Sequence, residues 1–248
     1  MSAAHAHDLR LAEVQLPGGR VAFSTRRGGV SSGAYESLNL GFLTGDEPQR
    51  VRRNRELLAS DLGLAADRIA TGRQIHGAEI ADWHAPPVAG WAAYASPRDE
   101  LPPVDGHFTG VPGLGLLVLV ADCLPVALVG GGAAAMLHCG WRGLAAGIIR
   151  VAVDRFDVPP AAAIGPGIGR CCFEVGEEVL EAFADVEGMA DGRMLDLRGV
   201  VEARLRARGV ERIDHIDYCT SCRADLFFSH RRDGGVSGRQ SGTVWLTP

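Results

Sequence analysis

Three features of the sequence predict a mixed α/β or α+β fold. Short apolar runs bounded by glycine or proline alternate with segments of helical period, the pattern of strands and helices packed in layers. The chain has 248 residues, 46% of them hydrophobic and 22% charged, which is enough to bury a full core. No repeat of solenoid length runs through this alternation.

The elements follow in chain order. Residues 1–8 read as a loose tail; residues 1–18 are expected to hold this tail and a first strand, and 19–248 a single catalytic domain. Residues 21–25 read as a strand that closes at the turn Arg27-Gly28-Gly29. Pro48 in a first turn, Val51, Leu58 and Leu62 at helical spacing, and Gly63 as a stop predict a helix from about Asp46 to Leu62. Residues 69–75 and 78–83 read as extended segments around His76-Gly77, and a proline-rich loop over 86–103 follows. Three apolar runs, 114–120, 125–129 and 133–137, have the length and boundaries of buried strands. Helices are expected over 144–156, 177–183 and 200–208, and strands over 161–164, 213–218 and 243–246.

Composition excludes several classes of function. A net charge of −5 argues against a nucleic-acid partner, which calls for a basic surface. The chain has no lysine, so all 25 basic residues are arginine. Schiff-base lysine chemistry, a pyridoxal-phosphate anchor and a Walker A loop are therefore excluded. The most apolar stretch, 114–129, is broken by Asp122, Cys123 and Pro125, so no membrane span is expected. Residues 1–10 show no apolar signal core. Six cysteines without such a signal are expected to be reduced thiols in the cytoplasm.

Candidate chemistry lies where apolar runs end. Arg73-Gln74-Ile75-His76-Gly77 puts an imidazole at a backbone turn where it can face a cleft; taken alone, the segment favours a plain surface-turn histidine. Ala121-Asp122-Cys123-Leu124-Pro125 places two polar residues between apolar runs, as a reactive pair or as a strand-end turn. Leu137-His138-Cys139-Gly140-Trp141-Arg142-Gly143 leads into a helix. Its free N–H groups and Arg142 suit an anion, unless Trp141 packs on the core and Arg142 pairs with a surface acid. Taken together, His76, Cys123 and His138 form a two-histidine, one-cysteine set known for catalytic zinc with one open position. Their separations match no zinc finger, so the fold must assemble the site. Cys219-Thr220-Ser221-Cys222 has half of a zinc or redox spacing but no second CxxC, and is read as a structural turn. Gly165-Pro166-Gly167-Ile168-Gly169 does not fit the dinucleotide fingerprint.

These motifs, with Ser24-Thr25-Arg26-Arg27-Gly28-Gly29-Val30-Ser31, Ser37-Leu38-Asn39-Leu40-Gly41, Asp225-Leu226-Phe227-Phe228-Ser229 and Arg231-Arg232-Asp233-Gly234-Gly235, occur in one order. Over residues 20–247 the chain resembles the bacterial family labelled polyphenol oxidase (laccase), purine nucleoside phosphorylase or peptidoglycan editing factor. The resemblance implies a layered α/β/β/α fold with mixed sheets, like that of cysteine-hydrolase toxins. It also implies zinc held by His76, Cys123 and His138, with copper as an incidental occupant. Two departures stand out: Cys139 where the family has alanine, and Gly106-His107 in place of an apolar pair, which would let His107 reach the cleft.

The implied activity is phosphorolysis of adenosine, inosine and methylthioadenosine, with adenosine deamination. Deamination suits a zinc ion that lowers the pKa of its water toward ~7. Cys123, His138, His76 and Asp122 are the expected catalytic residues. Arg142, Arg73, Arg26, Asn39 and Asp105 are the expected substrate-binding ones, with Asp122 or Asp105 moving a proton or orienting an imidazole. Purine nucleosides and phosphate are the expected partners, and the chain is expected to be a monomer or weak homo-oligomer. Laccase chemistry is rejected, because eight histidines with one His-x-His pair, His5-Ala6-His7, cannot supply a trinuclear copper cluster and a blue-copper site. Two alternatives remain: a Cys123–His138 dyad for amide hydrolysis in peptidoglycan-precursor editing, and a non-catalytic, zinc-stabilised nucleotide-binding protein.

Overall fold

Two β-sheets lie face to face, with helices on both outer surfaces. This computed structural model describes residues 10–87, 94 and 101–247. The expected tail over 1–8 and most of the proline-rich loop lie outside the described residues. The five-stranded sheet has the order β1 (Leu11–Leu16), β2 (Gly19–Ser24), β13 (Gln240–Leu246), β6 (Gly115–Val120), β3 (Ile69–Ala70). The six-stranded sheet runs β12 (Ile213–His215), β9 (Ala161–Ile164), β7 (Leu124–Gly130), β8 (Ala133–Cys139), β5 (Gly106–Thr109), β4 (Ile80–Trp83). Both sheets are mixed: β3–β6, β4–β5 and β9–β12 pair in parallel, and the other pairs are antiparallel.

Strand alternation distributes side chains between the layers. On β7, Ala127 and Val129 face the opposing sheet, while Val126 and Leu128 face the helices. On β2, Val21 and Phe23 enter the space between the sheets, and Ala22 points outward. That outer side is covered by α1 (Pro48–Leu62), through Leu58, Ala59 and Leu62. The outer face of the six-stranded sheet carries α3 (Ile148–Val153) and α5 (Leu197–Arg206). Because central strands are buried on both faces, their sequences read as unbroken apolar runs. Each buried Leu or Val contributes about 1.5–3 kcal/mol. The layered α/β/β/α fold is thus present, with α2 (Trp141–Ala145), α4 (Glu177–Glu181) and the small hairpin β10 (Ala190–Asp191) and β11 (Met194–Leu195) as additions.

Several elements differ from expectation. The helix expected over 144–156 is two short helices, α2 and α3, separated by Gly147 at φ +87°. The segment expected to extend over 69–75 is a strand only at Ile69–Ala70. Beyond it the Gln74 side chain replaces the ladder, accepting from Leu119 N–H at 2.8 Å and donating to Leu119 C=O at 2.7 Å. β5 escaped sequence reading because four residues that include Gly106 and His107 show no apolar run. β12 is shorter than expected and β13 longer. The helix expected over 200–208 starts earlier, at Leu197, where Asp196 accepts from Gly199 N–H.

Candidate metal centre and cavity

His76, Cys123 and His138 come from two separate connections and a strand end. His76 lies on the loop between β3 and β4, Cys123 on the link from β6 to β7, and His138 near the end of β8. Their ligating atoms all lie within 4.8 Å of one another. The two imidazole rings meet edge to face, with centroids 4.8 Å apart. His76 and Asp122 are the non-glycine residues with positive φ, at 61° and 87° among the described residues. Such backbone is strained for these side chains and recurs at functional sites. The adjoining Gly140 leaves room here. A Cβ at that position would sit 3.1 Å from both Cys123 Sγ and His76 Cδ2.

Asp105 organises the cluster. It is fully buried, just before β5. Its carboxylate accepts from the backbone N–H groups of Ile75, His76 and Gly77 at 3.0, 2.9 and 2.7 Å. Oδ1 also meets His138 Nδ1 at 2.7 Å. One carboxylate thereby fixes the loop that carries His76 and turns the Nε2 side of His138 toward the cluster. Burial would raise the Asp105 pKa, but the His138 and Gly77 hydrogen bonds outweigh it and hold the group below its ordinary value.

Electrostatics couple Cys123 to His138. Burial pushes the Cys123 thiol up, yet the charge and hydrogen bonding of His138, aided by His76, bring it down to about 6. Burial pulls His138 down, but Cys123 and Asp105 raise it to about 9. A soft thiolate and two imidazoles around one small gap, with a carboxylate behind one ring, form a donor set that fits a tetrahedral cation with an open corner.

This cluster forms part of the wall of a cavity of about 500 Å³, within the range of small-molecule sites. Arg55, Arg73, Arg142, Arg231 and Arg239 also line it, against a single acid among the described residues, Asp122. Phe42, Ile168, Phe173 and Trp141 supply apolar surface. The wall is therefore cationic and partly aromatic. Sequence reasoning left Arg231 without a role and missed Arg239, a mostly buried arginine that leads into β13. Its only signal was a charge directly before a buried strand.

Several residues singled out in the sequence take other places. Arg26 does not line the cavity: its guanidinium donates to the carbonyls of Glu36 and Ala224 at 2.6 and 3.1 Å. Asn39 is fully buried and ties Thr44, Asp46 and the Arg239 N–H together, which shapes the cavity rim from behind. Asp122 accepts from Thr220 Oγ1 at 2.6 Å and from Arg231 N–H at 2.7 Å, so both carboxylate oxygens are engaged. His107 does not reach the cleft. It is buried in β5 and accepts from Trp83 Nε1 at 3.1 Å. Cys139 faces the helix-side core, one residue and one sheet face away from His138. The anion site expected at a helix start is a five-residue helix, too short for a developed dipole.

A family model described as multi-copper polyphenol oxidoreductase laccase matches residues 20–247. The chain belongs to this family. Among its relatives, purine nucleoside phosphorylase YfiH of Shigella flexneri is 38% identical over 245 residues, covering 93% of this chain and 96% of its own. Purine nucleoside phosphorylase SCO2081 of Streptomyces coelicolor is 40% identical over 243 residues, covering 92% and 96%. The crystal structure of YlmD from Geobacillus stearothermophilus superposes with a TM-score of 0.86 at 32% identity, covering 94% of this chain and 93% of that one. Neisseria meningitidis protein NMB0706 gives 0.83 at 34% identity, covering 97% and 100%. Family members thus share the layered fold across almost the whole chain. No helix among the described residues is long and apolar enough to cross a membrane.

Proposed function

We propose that this chain is a zinc-dependent purine nucleoside phosphorylase acting on adenosine, inosine and methylthioadenosine, with adenosine deaminase activity at the same cavity. The observation that carries the reading is the His76–Cys123–His138 cluster opening into a cationic cavity. Relatives named purine nucleoside phosphorylase support the substrate class. Zinc held by these three residues would supply Lewis acidity at its open coordination position.

The chain's own residues divide the remaining work. Arg142 and Arg73, exposed on the cavity wall, bind phosphate, with Arg239 and Arg231 as further cations on that wall. Phe42, Phe173 and Trp141 offer faces for a planar base. Asp105 positions His138 and the His76 loop; with its carboxylate buried, it acts through them and not on substrate. Asp122 holds the Cys123 turn, because both its oxygens are already engaged. Multicopper oxidation does not fit: among the described residues, His84, His107, His215 and His230 lie outside the His76–Cys123–His138 cluster.

The test is base release from adenosine and inosine by protein purified without chelator or added metal, with and without phosphate. Phosphate-dependent release that is lost in His76→Ala supports the reading. Equal release without phosphate refutes the phosphorylase.

A second reading rests on one contact. The Asp105–His138 bond of 2.7 Å, beside a Cys123 thiol of lowered pKa, has the order of a nucleophile–base–orienter triad. In that reading the protein is an amidase, active without metal and killed by alkylation of Cys123.

A further inference from the structure

A second cluster of soft ligands lies on the two loops that hydrogen-bond to Asp122. Cys171 and Cys172 follow the Gly165–Gly169 loop, and Cys219 and Cys222 sit on the loop after β12. The four sulfurs all lie within 4.8 Å of one another. Cys222 Sγ is 3.6 Å from Cys171 Sγ and 3.5 Å from Cys172 Sγ. A disulfide needs about 2.04 Å. A tetrahedral tetrathiolate zinc site, with bonds of about 2.3 Å, needs sulfurs roughly 3.8 Å apart. The observed spacing is that of the edges of such a tetrahedron.

The backbone is arranged for thiolates. Gly169 N–H donates to Cys219 Sγ at 3.2 Å, and the Cys222 N–H turns back on the same sulfur. Four thiols this close cannot all ionise without a cation among them. Nearby, Arg198 has a buried Nη1 without a hydrogen-bond partner, within electrostatic reach of Cys219. That charge suits the net negative charge of a tetrathiolate site.

We propose that Cys171, Cys172, Cys219 and Cys222 bind a structural zinc ion, closed to substrate and separate from the cluster in the cavity. Its role follows from what the two loops hold. The loops are already joined, through Thr220 N–H to Gly167 C=O at 3.0 Å and Gly167 N–H to Tyr218 C=O at 3.3 Å. They also grip one turn: Ile168 N–H donates to Asp122 C=O at 2.8 Å and Thr220 Oγ1 to its carboxylate at 2.6 Å. The next residue is Cys123. Zinc here clamps the loops that support the cavity's own sulfur ligand, and both Ile168 and Phe173 of the first loop line that cavity.

The test is zinc content per chain of full-length protein purified without chelator, with tetrathiolate cobalt absorption after metal replacement. Two zinc ions in the wild type, one in Cys222→Ser and two again in Cys222→His support the proposal, as does loss of the tetrathiolate cobalt spectrum in Cys222→Ser. Should Cys222→Ser fail to fold, His76→Ala serves: one zinc with a tetrathiolate cobalt spectrum supports this site, and none overturns it. A wild type with a single zinc that survives His76→Ala and gives that spectrum keeps this site and counts against zinc in the cavity. Iron at the four cysteines, or a mass two hydrogens short without metal, overturns it.

Discussion

The two ligand clusters are linked through one turn and are built on different principles. The first mixes two imidazoles with one sulfur, draws them from two connections and a strand end, and opens into a cavity. The second uses four sulfurs from two loops that already bond to each other. In the first, order comes from a buried carboxylate, Asp105, with four hydrogen bonds. In the second, no carboxylate is needed, because backbone N–H groups and mutual crowding set the geometry. A reactive site requires an incomplete shell held rigid from behind; a staple requires a complete shell and little behind it.

The largest effect should come from removing the support behind the first cluster. Asp105→Ala leaves three backbone donors and a buried imidazole without a partner. It should cost about 3–5 kcal/mol of unfolding free energy, read by urea denaturation, whereas Asp105→Asn should fold and lose about 10–100-fold in metal affinity. If Asp105→Ala proves as stable as the wild type, the carboxylate is not the organiser.

Next comes His107, a buried imidazole that belongs to neither cluster. Burial, opposed by Asp105, takes His107 down to about 4 from an ordinary 6.5, and its Nε2 has no partner. The unfolded chain takes up this proton near 6.5 and the folded chain only near 4. Stability therefore falls as pH drops through that window, by about 3 kcal/mol at its lower end. His107→Leu should flatten that part of the pH–stability curve; an unchanged slope would remove His107 from the account.

Thiol chemistry separates the clusters directly. In chelator-treated protein, alkylation of Cys123 should have its midpoint near pH 6, while Cys171 stays unlabelled at neutral pH. Peptide mapping after a short iodoacetamide pulse at pH 7 reads the contrast, and equal labelling would abolish it. The smallest effect is the coupling between the sites. A double-mutant cycle of Asp122→Ala with Cys222→Ser should show an interaction of about 0.5–1 kcal/mol in unfolding, since Thr220 links the turn to the cysteine loop. Strict additivity would mean that the clusters are independent.

Much of this was legible in the sequence. His76, Cys123 and His138 announce themselves by chemistry in places where apolar runs stop. The apolar runs of β6, β7 and β8 gave strands because both their faces are buried. Asp105 was expected on the substrate or orienting an imidazole, and the contact with His138 is of the second kind; nothing local shows that its carboxylate also turns back on residues 75–77. Arg26 and Asn39 were misplaced for a similar reason: their partners, Ala224 and the Arg239 N–H, lie 198 and 200 residues away. The cysteine pair at 219 and 222 looked incomplete because its other half, Cys171-Cys172, is an adjacent pair on a distant loop and not a second CxxC. Short elements such as β5 and β10 lie below the length at which periodicity exists.

One feature of the architecture has a mechanical corollary. Between β6 and β7 the polypeptide steps from one sheet to the other, and Cys123 stands on that step, while His138 belongs wholly to the second sheet. An ion gripped by both is a rivet through the two leaves of the protein. Its affinity becomes a gauge of the gap between them, so that heat, pressure or a core substitution such as Met136→Ala registers at the ion before either leaf comes undone.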